Sequence, residues 1–335
     1  MKLPNVTCAS CEDRSKQCLD CKYLRSETSP IDQINLQILR NSIKILPDPK
    51  NINKKIVMID YQFSTPPEVA FHENLSNHVH GKASSIALYK RLKKNGLLEA
   101  FHQKISEGMV ANHSMYMNKE KAQELQGLPK YFCSLNYVKK NSSEVKKLRP
   151  TSNFSTPHVS GSFNLLAING PSIINSAKKI LIKFFHFSHG LTVDISKAYR
   201  SIWITPKSQS LSRFFWVENK DDITSMKECL WTKCTYGSGP TGIYMEIILR
   251  EPVAESTSKP EVKTLLNDNR FVDDLGASDH DHIRLVEEVE EYIRVCSEYD
   301  FEHGEVSSTN NVFEGSEKSQ IRTMFGIKWD PKRNL

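Results

Sequence analysis

The sequence predicts an α+β fold, an antiparallel sheet packed on helices, and three observations predict it. Short runs of β-formers, Leu191-Thr-Val-Asp-Ile195, Ser201-Ile-Trp-Ile-Thr205 and Ser212-Arg-Phe-Phe-Trp-Val217, lie between longer stretches whose apolar residues recur at helical spacing. Strands and helices do not alternate as regular βαβ units, which argues against a doubly wound parallel sheet. The sequence carries no internal repeat.

Taken in order, the elements follow from local chemistry. Ser29 before Pro30 is a helix start, and Ile31, Ile34, Ile38, Leu39 and Ile43 continue it at helical spacing until Asp48-Pro49-Lys-Asn-Ile-Asn53 ends the unit. Lys55 to Tyr61 reads as a strand ahead of Pro66-Pro67. A second helical region runs from about Ser84 to Gly108, with Ile86, Leu88, Leu92, Leu97, Leu98, Phe101 and Ile105 as core. The polar tract Asn136 to Glu144 reads as a loop. An amphipathic helix from about Asp281 to Tyr299 would bury Leu285, Val286, Val289, Ile293 and Cys296, and turn Glu287, Glu288, Glu290 and Glu291 to solvent.

At 335 residues the chain can bury a sizeable core over roughly two domains. Hydrophobic residues at 39% and charged residues at 25% exclude a disordered or fibrous chain. The net charge of +6 is unevenly spread. From Lys119 to Arg149 eight Lys or Arg face three Glu, a stretch that suits a polyanion, although a solvated face has the same composition. The N-terminus has no apolar signal region and no run is long enough to span a bilayer, so a cytoplasmic chain with no membrane partner is expected.

In a reducing compartment eight cysteines do not make a disulfide framework. Cys133, Cys229, Cys234 and Cys296 read as core packing. Cys8, Cys11, Cys18 and Cys21 form two C-x-x-C pairs six residues apart, a candidate structural Zn2+ knuckle with a shorter gap than common zinc ribbons. An oxidisable leader without metal stays open.

The segment Arg270-Phe-Val-Asp-Asp-Leu-Gly-Ala-Ser278 sets Asp273 beside Asp274. A hairpin tip explains that pair, because Asp and Gly favour turns. So does a metal site, because adjacent carboxylates raise each other's pKa unless a cation neutralises them. Asp194, near the end of an apolar strand, supplies a third carboxylate. Three Asp on two neighbouring strand ends are a minimal set for two Mg2+ ions, which want hard oxygen ligands and can serve in-line phosphoryl displacement.

The motifs DISKAYRSI, YGSGPTG, RFVDD and FGIKWDP, in that order, resemble those of a reverse transcriptase. The set is similar to the reverse transcriptase region of a Bel/Pao-type LTR retrotransposon Pol polyprotein, and LRPTSNFSTPHVSGSFNLLAINGP upstream resembles the same family. Each motif alone is short and unspecific; the ordered set covers essentially the whole chain.

The resemblance implies the fingers and palm of a right-hand polymerase. Residues 1–28 would be the Cys-rich segment and 29–129 a helical leader. Fingers would span about 130–160 and 207–235, palm about 161–206 and 236–321, and a primer-grip-like hairpin 322–335. It implies an RNA-directed DNA polymerase adding deoxynucleoside triphosphates to a primer on an RNA or DNA template.

Asp194, Asp273 and Asp274, with the Ile195 carbonyl, would hold two Mg2+ ions or Mn2+ as substitute. Arg149, the backbone of Lys197 and Ala198, Tyr199, Tyr236, Gly237 and Pro240 would meet the nucleotide, with Tyr199 barring a 2'-hydroxyl. Lys146 and Lys147 would help Arg149 or merely be solvated neighbours. Phe325, Gly326 and Trp329 would grip the primer. Partners would include other segments of the Pol polyprotein and no membrane, in the cytoplasm or inside virus-like particles.

Some positions depart from the family pattern. Phe271 stands where a tyrosine is common, Asn153 replaces an Asp, Ser238 replaces an acidic residue, and His303 is the nearest basic group where a lysine is usual. The chain stops at Leu335, so a fragment with its thumb absent, and without RNase H or integrase segments, is expected. Two other readings remain: a catalytically inactive nucleic-acid-binding remnant, and a Mg2+ nuclease with no use for Tyr199.

Overall fold

A computed structural model describes residues 29–139, 148–309, 322–324 and 327–331. Cys8, Cys11, Cys18, Cys21, Lys146, Lys147, Phe325 and Gly326 lie outside the described residues. The architecture is α+β, with several small antiparallel sheets packed on helices.

Helix α1 (Pro30–Asn41) starts at Ser29, whose side chain accepts from the Asp32 amide while the Asp32 side chain bonds back, a capping box. Its inner face is Leu36 and Leu39. Ile31 and Ile34, expected inside, are 66% and 59% exposed. The helix docks through its C-terminal half, where Leu36 and Leu39 are buried, Ser42 Oγ meets the Tyr244 hydroxyl at 2.8 Å and Arg40 pairs with Glu251. The expected chain break at Asp48-Pro49 is a tight turn between two strands, β1 (Ile43–Asp48) and β2 (Asn51–Ile59), which pair antiparallel.

The expected single helix from Ser84 to Gly108 is two helices, α2 (His78–Lys94) and α3 (Leu98–Val110). Gly96 separates them at φ 66°, and the Leu97 amide closes back on the Leu92 carbonyl at 2.9 Å. Only glycine takes that left-handed turn without penalty. Strand β3 (Ser114–Tyr116) follows, so the 29–129 segment contributes strands as well as helices. Part of the expected 136–144 loop is likewise strand, since β4 (Ser134–Lys139) pairs with β5 (Leu148–Asn153).

The sheet that matters for chemistry has four strands. In order they are β10 (Arg270–Phe271), β11 (Asp274–Asp279), β6 (His189–Ile195) and β12 (His303–Ser308), all antiparallel. Strand β7 (Trp203–Ile204) joins β2 in parallel, and β8 (Arg213–Val217) lies beside β9 (Met226–Trp231), which also pairs with β3. Helix α4 (Ala177–Phe184) precedes β6. Helix α5 (Thr241–Ile248), α6 (Pro260–Asp268) and α7 (His282–Ser297) complete the packing.

The α7 helix packs on β11, β6 and β12 through Leu285, Val289, Tyr292, Val295 and Cys296. Its buried stripe is turned slightly from the expected one, leaving Val286 and Ile293 half-buried. Glu287 and Glu290 face solvent as expected. Glu288 and Glu291 are half-buried, and the bond that Arg294 donates to Glu291, helped by one from Thr257, holds its carboxyl down at about 2.

One continuous apolar cluster runs from Leu36 to Val306, and Cys133, Cys229, Cys234 and Cys296 are all buried in it as free thiols. A second small cluster joins Phe184 to Trp329, where the hairpin of β13 (Arg322–Met324) and β14 (Ile327–Trp329) meets α4. Among the described residues no helix is long and apolar enough to cross a membrane.

Candidate active site

Pairing of β11 with β6 sets Asp274 directly opposite Asp194. Such cross-strand neighbours stand about 5 Å apart, and like charges there repel. Asp273 joins them from the turn between β10 and β11, where only Val272 and Asp273 connect the strands. One oxygen of each carboxylate lies within 4.8 Å of the others. The donor set is three hard oxygens with no nitrogen or sulfur, which fits Mg2+ or Mn2+ and gives a soft metal nothing to prefer.

The turn itself is bent against its sequence. Val272 takes φ 57°, a region where a β-branched side chain is an outlier. Positive φ at the first of two turn residues alone is the pattern of a type II′ hairpin, where glycine is usual. The Ile195 amide fastens the turn to β6 by donating to the Asp273 carbonyl at 2.9 Å. Burial raises the Asp273 pKa, opposed by bonding within its own backbone and by the charges of Arg149 and Arg270.

After Ile195 the chain turns through Lys197, at φ 51°, into a short 3-10 helix from Ala198 to Ser201. Ala198 is buried, and Tyr199 is half-buried with its ring centroid 4.9 Å from that of Tyr236. Burial, then the nearby Asp273, pushes the Tyr199 hydroxyl up to about 12 and raises Tyr236 in the same way. Both therefore stay neutral at ordinary pH.

Tyr236 opens the loop to Pro240, which caps α5. Gly237, at φ 103°, runs so close to β5 that a β-carbon would stand 1.7 Å from the Ser152 carbonyl oxygen. The Ser152 amide donates to the Tyr236 carbonyl at 3.1 Å, and Asn164 spans the loop, donating to Gly237 and accepting from the Gly239 amide. The loop is thus fixed to the strand that carries Arg149.

A cleft of about 500 Å3 lies over this floor, lined by Lys104, Arg149, Asp194, Lys197, Arg200 and Tyr236 among others. It brings together Arg149, Asp194, Lys197 and Tyr236 from the expected set. Asp273 and Asp274 stand beside it through Asp194, and Gly242 underlies Tyr199, a β-carbon there reaching 3.9 Å from its hydroxyl. Trp329 sits apart, fully buried against Phe184 at 5.1 Å.

Several site residues were not singled out by sequence. Arg200 lies with its guanidinium carbon 4.2 Å from the Trp231 ring centre, and its Nη1 is buried without a hydrogen-bond partner among the described residues. Burial lowers its pKa to about 10. His113, beside it, is driven down to about 4 by burial and then by Arg200, Lys233 and Lys197. Nothing in the local sequence marks either. Gly304 in β12 also touches the site, leaving 2.9 Å between its would-be β-carbon and Asp194 Oδ2.

No protein-family model matches the chain, and no curated protein matches it. Among solved structures it is similar to the crystal structure of prototype foamy virus protease-reverse transcriptase. The identity is 16%, the TM-score 0.42, and the match covers 61% of this chain and 22% of that one. This chain therefore spans under a quarter of that protein's length. A likeness so distant leaves the site to be read from its own geometry.

Proposed function

We propose that this chain is the fingers and palm of an RNA-directed DNA polymerase of the Bel/Pao retrotransposon type. One observation carries the reading: Asp194 opposite Asp274, with Asp273 in the β10–β11 turn, three carboxylate oxygens within 4.8 Å under a cleft walled by Arg149, Lys197 and Arg200. The ordered motifs noted in the sequence support the same assignment.

In this reading Asp194, Asp273 and Asp274, with the Ile195 carbonyl, hold two Mg2+ ions, for which Mn2+ can substitute. Bound there, such ions lower the pKa of a primer 3'-hydroxyl and stabilise a departing pyrophosphate. The protein's own work is placement. Arg149 offers a fork of donors to phosphate oxygens, and the left-handed turn at Lys197 directs the backbone of Lys197 and Ala198 toward the same group. Tyr199, neutral and braced by Tyr236, stacks under the deoxyribose and leaves no room for a 2'-hydroxyl. Gly237 lets the loop backbone approach the base pair, and Pro240 sets the helix behind it. Phe325, Gly326 and Trp329 bear on the primer strand in this reading, and Trp329 anchors its strand to α4. A primer annealed to RNA or DNA, deoxynucleoside triphosphates and other segments of a Pol polyprotein are the partners, in the cytoplasm or in virus-like particles. A Zn2+ on Cys8, Cys11, Cys18 and Cys21 completes the proposed cofactors.

The test is Mg2+-dependent extension of a DNA primer on RNA and on DNA templates, parent chain against Asp273→Asn. Extension by the parent and none by the variant is expected. Equal binding of primer-template by both with extension by neither would replace the enzyme by a silent nucleic-acid-binding remnant. Cleavage of the template without extension would favour a nuclease.

A further inference from the structure

The turn that carries Asp273 is strained at Val272, yet everything proposed for the carboxylates needs it held still. What holds it lies underneath. Arg270, wholly buried, sends two guanidinium nitrogens to the two oxygens of Glu246, each at 2.9 Å, and the Glu246 side chain is 1% exposed. The same Nη1 of Arg270 also donates to the Val272 carbonyl. Arg250 Nε donates to one of the same Glu246 oxygens, Oε2, at 3.0 Å, and its Nη2 donates to Asn175 Oδ1 at 2.9 Å and to the Ile173 carbonyl at 2.8 Å. Asn175 Nδ2 donates in turn to the Arg270 and Asn267 carbonyls, each at 2.8 Å. The carbonyls on both sides of Phe271 are therefore pinned from below.

A buried ion pair is a poor device for stability, because removing two charges from water offsets most of their attraction. Its better-attested use is to select one arrangement among several. Glu246 interrupts an otherwise apolar run, Ile243-Tyr-Met-Glu-Ile-Ile-Leu249, at the point where α5 passes beneath the hairpin. That one helix begins at the Pro240 loop, carries Gly242 under Tyr199, and reaches Arg270 through Glu246. The nucleotide loop and the carboxylate turn thus ride on a single rigid element.

We propose that Glu246 and Arg270, backed by Arg250 and Asn175, are positioning residues that hold the Val272–Asp273 turn in its strained conformation and so fix Asp273 against Asp194 and Asp274. The purpose assigned to that turn rests on the polymerase reading; the mechanical claim can be measured without it.

The Ile195 amide, bonded to the Asp273 carbonyl, reports the turn directly. Amide hydrogen exchange is measured on the metal-free full chain, with Val193 in the same strand as reference. Glu246→Gln weakens the charge-assisted bonds that pin the turn, so local opening should become easier and exchange at Ile195 faster by at least about tenfold, with Val193 unchanged. Adding Val272→Gly, which takes positive φ freely, should restore slow exchange even if the single variant folds poorly. Mn2+ binding by calorimetry should fall and recover in parallel. Equal exchange at Ile195 in parent and Glu246→Gln overturns the proposal. A double variant no better than the single also overturns it, because the pair would then serve the core. Exchange as expected in a chain whose parent binds no Mn2+ upholds the positioning and removes the metal reading instead.

Discussion

Replacing Gly304 with alanine separates the geometry of the site from the stability of the fold. A β-carbon at this position would stand 2.9 Å from Asp194 Oδ2, 3.4 Å from the Asp194 carbonyl oxygen and 3.6 Å from Ser196 Cβ. Ordinary contact begins near 3.4 Å, so the carboxylate oxygen must retreat by about 0.5 Å, which is the tolerance of a catalytic constellation. The stability terms nearly cancel. The Gly304 backbone lies outside the left-handed region, so alanine gains roughly 0.5–1 kcal/mol from the unfolded chain, against about 1 kcal/mol for mild overpacking. Misplacement of about 1 Å can cost about a hundredfold in rate, so half of that should cost about tenfold. Single-turnover Mg2+-dependent primer extension and thermal unfolding, run on the same preparation, decide it. A slow variant with a near-parental melting point is expected. Extension at the parental rate would refute the placing of Gly304 against a working carboxylate.

Three further perturbations probe the rest of the cleft. Tyr199→Ala should lower the preference for deoxynucleotides over ribonucleotides at least about tenfold, about 1.4 kcal/mol, read as the ratio of the two kcat/KM values; an unchanged ratio removes Tyr199 from sugar selection. Gly237→Ala, with its β-carbon 1.7 Å from a backbone oxygen at φ 103°, should destabilise the chain by about 3 kcal/mol or more and detach the loop from β5, so a parental melting point would contradict the close approach. His113 gives a pH dependence. Its folded pKa of about 4 lies below the ordinary 6.5, so the unfolded chain binds a proton that the native chain refuses. The stability due to this difference is present above about 6.5 and falls as pH drops toward about 4. Unfolding of His113→Gln in parallel should show a shallower decline through that window, and parallel curves would refute the burial of the imidazole beside Arg200.

How far the sequence could be read depended on whether a residue's role was local. The Ser29 cap, the apolar strand ending at Asp194 and the Asp273–Asp274 hairpin all follow from near neighbours, and all three were legible. The break at Gly96 was not, because helical spacing continues across it and only the left-handed turn interrupts the register. The exposure of Ile31 and Ile34 was illegible for a different reason, since it depends on which turn of α1 meets Tyr244. Arg200, His113 and Gly304 enter the site through contacts between distant segments, and no local pattern carries that information. Glu246 did leave a trace, a lone acid in an apolar run, whose meaning required knowing that Arg270 faces it.

The charges of the site also explain why its two halves belong together. Three carboxylates crowd one side, and burial already disfavours ionisation of Asp273. Arg149, Lys197 and Arg200 line the other, with Arg200 so deeply placed that burial lowers even a guanidinium. His113 is kept neutral among them. Each set repels within itself. A single ion would relieve one side only. In the proposed reading, a polyphosphate arriving with divalent cations would relieve both at once, its oxygens against the arginines and its metals against the carboxylates. The proposed magnesium nucleotide has that charge pattern, which is the reason for reading the cleft and the carboxylates as one site.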